Sequence, residues 1–158
     1  MTREYARSPR GERAHGAVPR NAGTVTTMIG ALDLNGVRAI ITVDGATDGE
    51  VFETLIERVL LPKLKPGDIV VLDNVGAHKT VEVRRLIRAA GARVLFLPPY
   101  SPDLNPIELC WSKLKMLLRE FGARTRDALD DAIRRAMDLI DGADVSAWFG
   151  HCGYSGQL

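Results

Sequence analysis

Apolar and polar residues change rhythm several times along the chain, and each change marks an expected element. From Thr24 to Leu34 the run TVTTMIGALDL is rich in β-branched residues, and after Asn35-Gly36 the segment VRAIITVDG continues to about Gly45. Two such runs around an Asn-Gly pair predict a β-hairpin. Thr47-Asp48-Gly49-Glu50 then has the S/T-x-x-E form of a capping box. Val51, Leu55, Ile56, Val59 and Leu60 follow at helical spacing, which predicts a helix from there to about Leu61, before Pro62. Asp68 to Asp73 reads DIVVLD, a short and nearly continuous apolar run of the kind found in strands covered on both faces.

After the loop NVGAHKT, Val83, Leu86 and Ile87 mark an amphipathic helix from Thr80 to about Ala90, with Gly91 as its C-terminal cap. RVLFLP is the next strand. A helix is expected from about Pro106 to Phe121 and a last one over roughly Thr125 to Asp141, with Leu129, Ile133, Ala136, Met137 and Ile140 on one face. The tail from Gly142 carries Trp148, Phe149 and Tyr154 and is expected to pack loosely. Hairpin, helix, strand, helix, strand, helix predicts an α/β fold with a mixed sheet; no internal repeat is visible.

Composition narrows the class without changing that outline. A chain of 158 residues, 46% hydrophobic and 26% charged, is expected to form a single domain over 1–158 with a core of its own. No apolar run reaches membrane-spanning length and the first residues lack a signal-peptide core, so the expected location is the cytoplasm. Cys110 and Cys152 suit a reduced compartment, as small hydrophobes. The net charge of +1 hides an uneven distribution. Residues 1–20 hold Arg3, Arg7, Arg10, Arg13 and Arg20 against Glu4 and Glu12, so residues 1–22 form a basic arm. Two readings stand for it: backbone contact with nucleic acid, or a solvated terminal segment.

The chemistry is expected to gather around two carboxylates. Asp73 closes the buried strand IVVLD and so emerges at the C-terminal edge of the sheet, where α/β folds place ligands, although an Asp-Asn pair there also suits an Asx turn. Four of the eight prolines fall within nine residues, in LPPYSPDLNPIELCWSKLK, ahead of Glu108. Asn105 is a good N-cap, Pro106 suits the first helical position, and Glu108 falls at N3, where its carboxylate can answer the cap residue's amide. Two carboxylates converging on one sheet edge repel unless a cation neutralises them, and Mg²⁺ or Mn²⁺ is the natural choice for oxygen ligands. His78 and Lys79 are placed to contact a phosphate or leaving group; His78 is equally a candidate for a surface residue at a helix start. Nucleotide-binding glycine loops and a nucleophile elbow are absent from the sequence. Asp44 and Asp48 read as turn and cap residues rather than a calcium loop, and His151-Cys152 is too isolated for zinc.

VVLDNVGAHKT followed by LPPYSPDLNPIELCWSKLK resembles the second and third acidic motifs of DDE-type transposases, in particular the mariner-like group of bacterial insertion sequences. The 34 residues between Asp73 and Glu108 match that group's spacing, and the YARSPRGER arm, the hairpin and VDGATDGEVFETLIERVLLP extend the likeness along nearly the whole chain. The resemblance implies a ribonuclease H-like mixed sheet flanked by helices. It implies metal-dependent phosphoryl transfer, with strand cleavage and joining at insertion-sequence ends. It makes Asp73 and Glu108 ligands of a two-ion Mg²⁺ or Mn²⁺ site, with Asn74, His78, Lys79 and Asn105 supporting it or contacting DNA, and Arg7, Arg10 and Arg13 on the DNA backbone.

The family's first catalytic aspartate lies on the first, central strand, just before the segment corresponding to Tyr5 to Arg13. Here only Met-Thr-Arg-Glu precedes Tyr5, so the expectation is an N-terminally truncated catalytic domain without that strand, inactive in isolation. Its expected partners are double-stranded element ends and target DNA, further copies of the complete enzyme, and an upstream-frame product carrying the helix-turn-helix and first aspartate. The alternatives are a non-catalytic DNA-binding remnant and another ribonuclease H-like nuclease, such as a resolvase or integrase.

Overall fold

The computed structural model describes residues 7–13, 15 and 25–154. Strand β1 (Thr26–Asp33) pairs antiparallel with β2 (Gly36–Asp44), running from Thr26 opposite Asp44 to Asp33 opposite Gly36. The turn is Leu34-Asn35, one residue earlier than the Asn-Gly pair suggested. Gly36 supplies the positive φ, +120°, while already paired to Asp33, whose carboxylate accepts the Asn35 N–H at 2.8 Å.

Helix α1 (Gly49–Leu55) is capped by Asp48, not Thr47: the Asp48 carboxylate accepts the Val51 N–H at 3.1 Å. Both residues are competent caps, and the extended backbone at Asp48 decides between them. The chain continues through a π-helical turn (Ile56–Leu60) and a 3₁₀ turn (Leu61–Lys63). Phe52, Leu55, Ile56 and Leu60 bury against Leu72, Val83, Ile87 and Ala92 to form the first core cluster. Two of these come from α2 (Val81–Ala89), whose cap, the Thr80 hydroxyl, accepts the Val83 N–H at 3.1 Å.

Strand β3 (Ile69–Leu72) runs parallel to β4 (Arg93–Phe96), with α2 as the crossover. Only one face of this pair is covered. Val70, Leu72, Val94 and Phe96 meet the first cluster, whereas Ile69, Val71 and Leu95 are exposed because no described element lies over them. The expectation of a strand buried on both faces fails there. The strands of the mixed fold form two halves, β1–β2 and β3–β4, which are not hydrogen-bonded to each other. They share a core, since Ile29, Ala31 and Ile41 pack on the cluster that contains Leu72.

Helix α3 (Pro106–Phe121) ends at Gly122 in the left-handed conformation, φ +63°. Leu114, Leu117 and Leu118 bury against Ala132, Ile133 and Ala136 of α4 (Arg126–Asp138), and Met28, Ile40 and Trp111 pack on this second cluster. The hairpin therefore touches both cores. Residues after Gly142 are not loosely packed. They form α5 (Gly142–His151), started by a reciprocal capping box in which the Asp141 carboxylate accepts the Asp144 N–H at 2.9 Å and the Asp144 carboxylate accepts the Asp141 N–H at 3.1 Å. Val145 is fully buried, Lys113 of α3 pairs with Asp144, and the Tyr154 hydroxyl donates to the Leu104 carbonyl at 2.9 Å. No described helix is long and apolar enough to cross a membrane.

Candidate active site

Asp73 follows the last residue of β3, and Glu108 sits in the first turn of α3. The Leu97 N–H donates to the Leu72 carbonyl at 2.8 Å, extending the β3–β4 pairing by one residue so that the proline-rich loop departs beside Asp73. A 3₁₀ turn (Pro102–Leu104) then redirects the chain into α3. The result is a cavity of about 400 Å³ into which Asp73 and Glu108 both open, with Asn74, Lys79 and Asn105 also on its wall. Five of the residues singled out from sequence are thus brought to one place.

The local hydrogen bonds correct the expected role of α3's first turn. Asn105 makes no side-chain cap, and its own N–H donates to the Pro102 carbonyl at 3.0 Å. Glu108 consequently has no cap amide to answer, the capping box does not form, and its carboxylate is exposed. The 3₁₀ turn has satisfied the backbone in place of the side chains, leaving both side chains to the cavity.

Asp73 is anchored on one oxygen. Its Oδ1 accepts the Val75 N–H at 3.1 Å, so the Asx turn foreseen as the plainer reading is present, and it also lies 2.5 Å from His78 Nδ1. That second contact is close but lies off the N–H direction, so the buried Nδ1 has no hydrogen-bond partner. The imidazole stacks on Phe52, with ring centroids 3.9 Å apart. His78 therefore stands beside Asp73 and is not on the cavity wall, which Lys79 reaches. Arg7, Arg10 and Arg13 are exposed and do not line the cavity; Arg3 and Arg20 lie outside the described residues. Asp44 is engaged by Arg126, consistent with a structural role.

Two contributors had no foreseen role. Phe52, read as neither a helix-face nor a site residue, supports His78. Tyr100, visible in the sequence only as an aromatic between prolines, stands at the cavity with a positive φ of +57°. The donors facing the cavity suit a hard divalent cation, being carboxylate and amide oxygens with no sulfur or imidazole on the wall. They amount to two carboxylates. Among the described residues, no group of three or more His, Cys, Asp or Glu side chains is placed to hold a metal ion.

Residues 1–130 match the model of a family described as DDE superfamily endonuclease. The Transposable element Tc1 transposase of Caenorhabditis elegans is 31% identical over 90 residues, which is 57% of this chain and 33% of that protein. Among solved structures, the Mos1 Strand Transfer Complex matches with a TM-score of 0.76 at 18% identity, over 95% of this chain and 46% of that chain. The Mos1 mariner paired end complex with Mn matches with a TM-score of 0.72 at 18% identity, over 95% and 47%. The chain thus spans a third of the Tc1 transposase and under half of the Mos1 chains. At these identities the structural likeness shows the fold, which is ribonuclease H-like α/β as expected.

Proposed function

The chain belongs to the DDE superfamily endonucleases, and from that premise we propose that it is a catalytic-domain segment of a mariner/Tc1-type DNA transposase. The observation that carries this reading is the convergence of Asp73, at a strand end, and Glu108, at a helix start, on one oxygen-lined cavity. The reaction is phosphoryl transfer: the oxygen of water or of a DNA 3′-hydroxyl forms a bond to phosphorus as the opposite P–O bond breaks.

Asp73 and Glu108 would hold Mg²⁺ or Mn²⁺, in keeping with the manganese named for the Mos1 mariner complex. When bound, such ions polarise phosphate oxygens and acidify coordinated water. With Oδ1 of Asp73 tied to Val75 and flanked by His78, Oδ2 is the oxygen left for the cation. His78 stands beside that carboxylate, against Phe52. The amides of Asn74 and Asn105 can hydrogen-bond phosphate oxygens or water, and the exposed Lys79 ammonium can pair with a non-bridging oxygen. Arg7, Arg10 and Arg13 suit the backbone of the flanking duplex, which stands for element ends and target DNA. Acting there places the protein in the cytoplasm at the nucleoid, as one copy in an oligomer of the complete enzyme.

Among the described residues two carboxylates face the cavity, where the family's set has three. The edges of β1 and β3 that have no partner among the described residues can receive a strand bearing the third. A second reading, a DNA-binding remnant without catalysis, rests on the exposed arginines Arg7, Arg10 and Arg13.

Purified chain, element-end duplex and Mn²⁺ test both. The expected result is salt-sensitive binding without nicking, and nicking once a polypeptide with the aspartate-bearing strand is added, abolished by Asp73→Ala or Glu108→Ala. Nicking by the chain alone that Asp73→Ala removes would show that two carboxylates suffice. A mixture that binds and never nicks would leave the remnant reading, and salt-insensitive binding would count against phosphate contacts altogether.

A further inference from the structure

Tyr100 has an unusual combination of properties. Its φ of +57° makes it the only non-glycine among the described residues with a positive φ, a conformation that bulky side chains adopt at a cost. The ring recovers none of that cost by packing, because it is fully exposed, and its hydroxyl makes no hydrogen bond among the described residues. Tyr154 is the contrast within the same chain, with its hydroxyl tied to Leu104. The strain is also built in: Pro98 and Pro99 precede Tyr100, Pro102 follows, and the Ser101 hydroxyl donates to the Pro99 carbonyl at 3.3 Å. A loop this constrained holds the ring outward at the cavity shared by Asp73, Glu108 and Lys79.

From this placement we infer that Tyr100 is a stacking platform for an unpaired nucleobase beside the phosphate held in the cavity. The inference rests on the reading of this site as one that acts on DNA. An aromatic face next to a cation is the combination used for single-stranded nucleic acid: Lys79 takes a backbone phosphate while the phenol ring accepts the face of a neighbouring base. Every base has such a face, so the contact tolerates any sequence. A base can reach Tyr100 only after leaving its own stack, so the ligand is a strand end or a locally opened duplex rather than intact double helix.

The strain makes a clean test possible, because relieving it need not harm the fold. In Tyr100→Gly and Tyr100→Asn, residues that accept a positive φ take the position, so the thermal midpoint is expected to hold or rise. Affinity for a short single-stranded oligodeoxynucleotide containing 2-aminopurine is expected to fall about tenfold or more, with loss of the stacking quench, while the salt dependence of binding stays as in the wild type. Tyr100→Phe and Tyr100→Trp are expected to retain both affinity and quench. Wild-type affinity in the Gly and Asn variants would overturn the inference. So would a loss of affinity in Tyr100→Phe equal to theirs, which would assign the contact to the hydroxyl, or a reduced salt slope, which would assign it to phosphate. If the wild-type chain binds neither this oligonucleotide nor element-end duplex, the DNA reading fails and takes this inference with it; if it binds the duplex but not the single strand, or binds the single strand and the variants match it, this inference alone fails.

Discussion

The hydroxyl of Tyr154 donates to the carbonyl of Leu104 at 2.9 Å, joining the end of the C-terminal helical segment to the turn that delivers Glu108. The Tyr154 N–H in turn donates to the Phe149 carbonyl at 2.9 Å, and the two rings meet edge to face at 5.9 Å. Removing the hydroxyl alone, in Tyr154→Phe, should cost about 1 kcal/mol, the net value of one hydrogen bond. Amide exchange should quicken at Leu104, Asn105 and Glu108 while α2 stays protected. Unchanged exchange in that turn, followed residue by residue, would show that the bond does not steady it.

Gly30 is a site where a single methyl has nowhere to go. A Cβ there would sit 2.9 Å from the Ala39 carbonyl oxygen and 2.9 Å from Cη2 of Trp111. The carbonyl belongs to the paired strand and cannot swing aside, so Gly30→Ala should destabilise by about 1–3 kcal/mol. Denaturant unfolding gives the value, and Trp111→Phe in the same background should recover only the part due to the indole.

The Lys113–Asp144 pair makes the seat of α5 sensitive to acid. The Lys113 ammonium holds the Asp144 carboxyl below its ordinary value, with the Asp141 N–H adding to the effect and desolvation opposing it. A carboxyl depressed in the folded state contributes stability that is complete above its unfolded value and lost as pH falls through the folded one. The contribution should therefore be constant near neutrality and fade below about pH 4, the unperturbed aspartate range. Thermal midpoints measured from pH 6 to pH 3 should fall more steeply for the wild type than for Lys113→Met.

Burial pushes the Cys110 thiol up to about 11, with Asp144 adding to the shift and Lys113 opposing it. Cys152 is raised in the same direction, by burial first and then by Asp103. Because the thiolate is the reactive form, neither cysteine should be alkylated by iodoacetamide at pH 8 until denaturant is added. Mass spectrometry distinguishes this from the rapid labelling that an accessible thiol would show.

How much of this could be read in advance depended on how local the determinant was. Helix α3 was legible from end to end, because Asn105-Pro106 and Gly122 are boundary signals carried by single residues. The two carboxylates were legible for a similar reason, each sitting at the junction of a strand or helix with a loop. Helix α5 was not, since its apolar pattern is weak and Gly142 and Gly150 lower its helix propensity; the useful signal was Asp141-x-x-Asp144, a capping box built from two aspartates. The cap at α3 was misjudged because a 3₁₀ turn three residues upstream had already used the amide, which the sequence NPIE alone does not reveal. Phe52 behind His78 and the exposure of one face of β3 depend on tertiary placement, and no spacing rule reaches them.

The uncovered face of the β3–β4 pair also bears on how the polypeptide behaves before it ever meets a substrate. Ile69, Val71 and Leu95 stand exposed beside a strand whose outer amides and carbonyls have no ladder partner among the described residues. Such a surface is adhesive toward any extended chain, and the charges that usually blunt a sheet edge are absent from Ile69 through Leu72. Recovery of this protein from an overproducing cell is consequently a race between dilution and clumping. Solubility should fall steeply with concentration and respond to a single lysine placed at Val71.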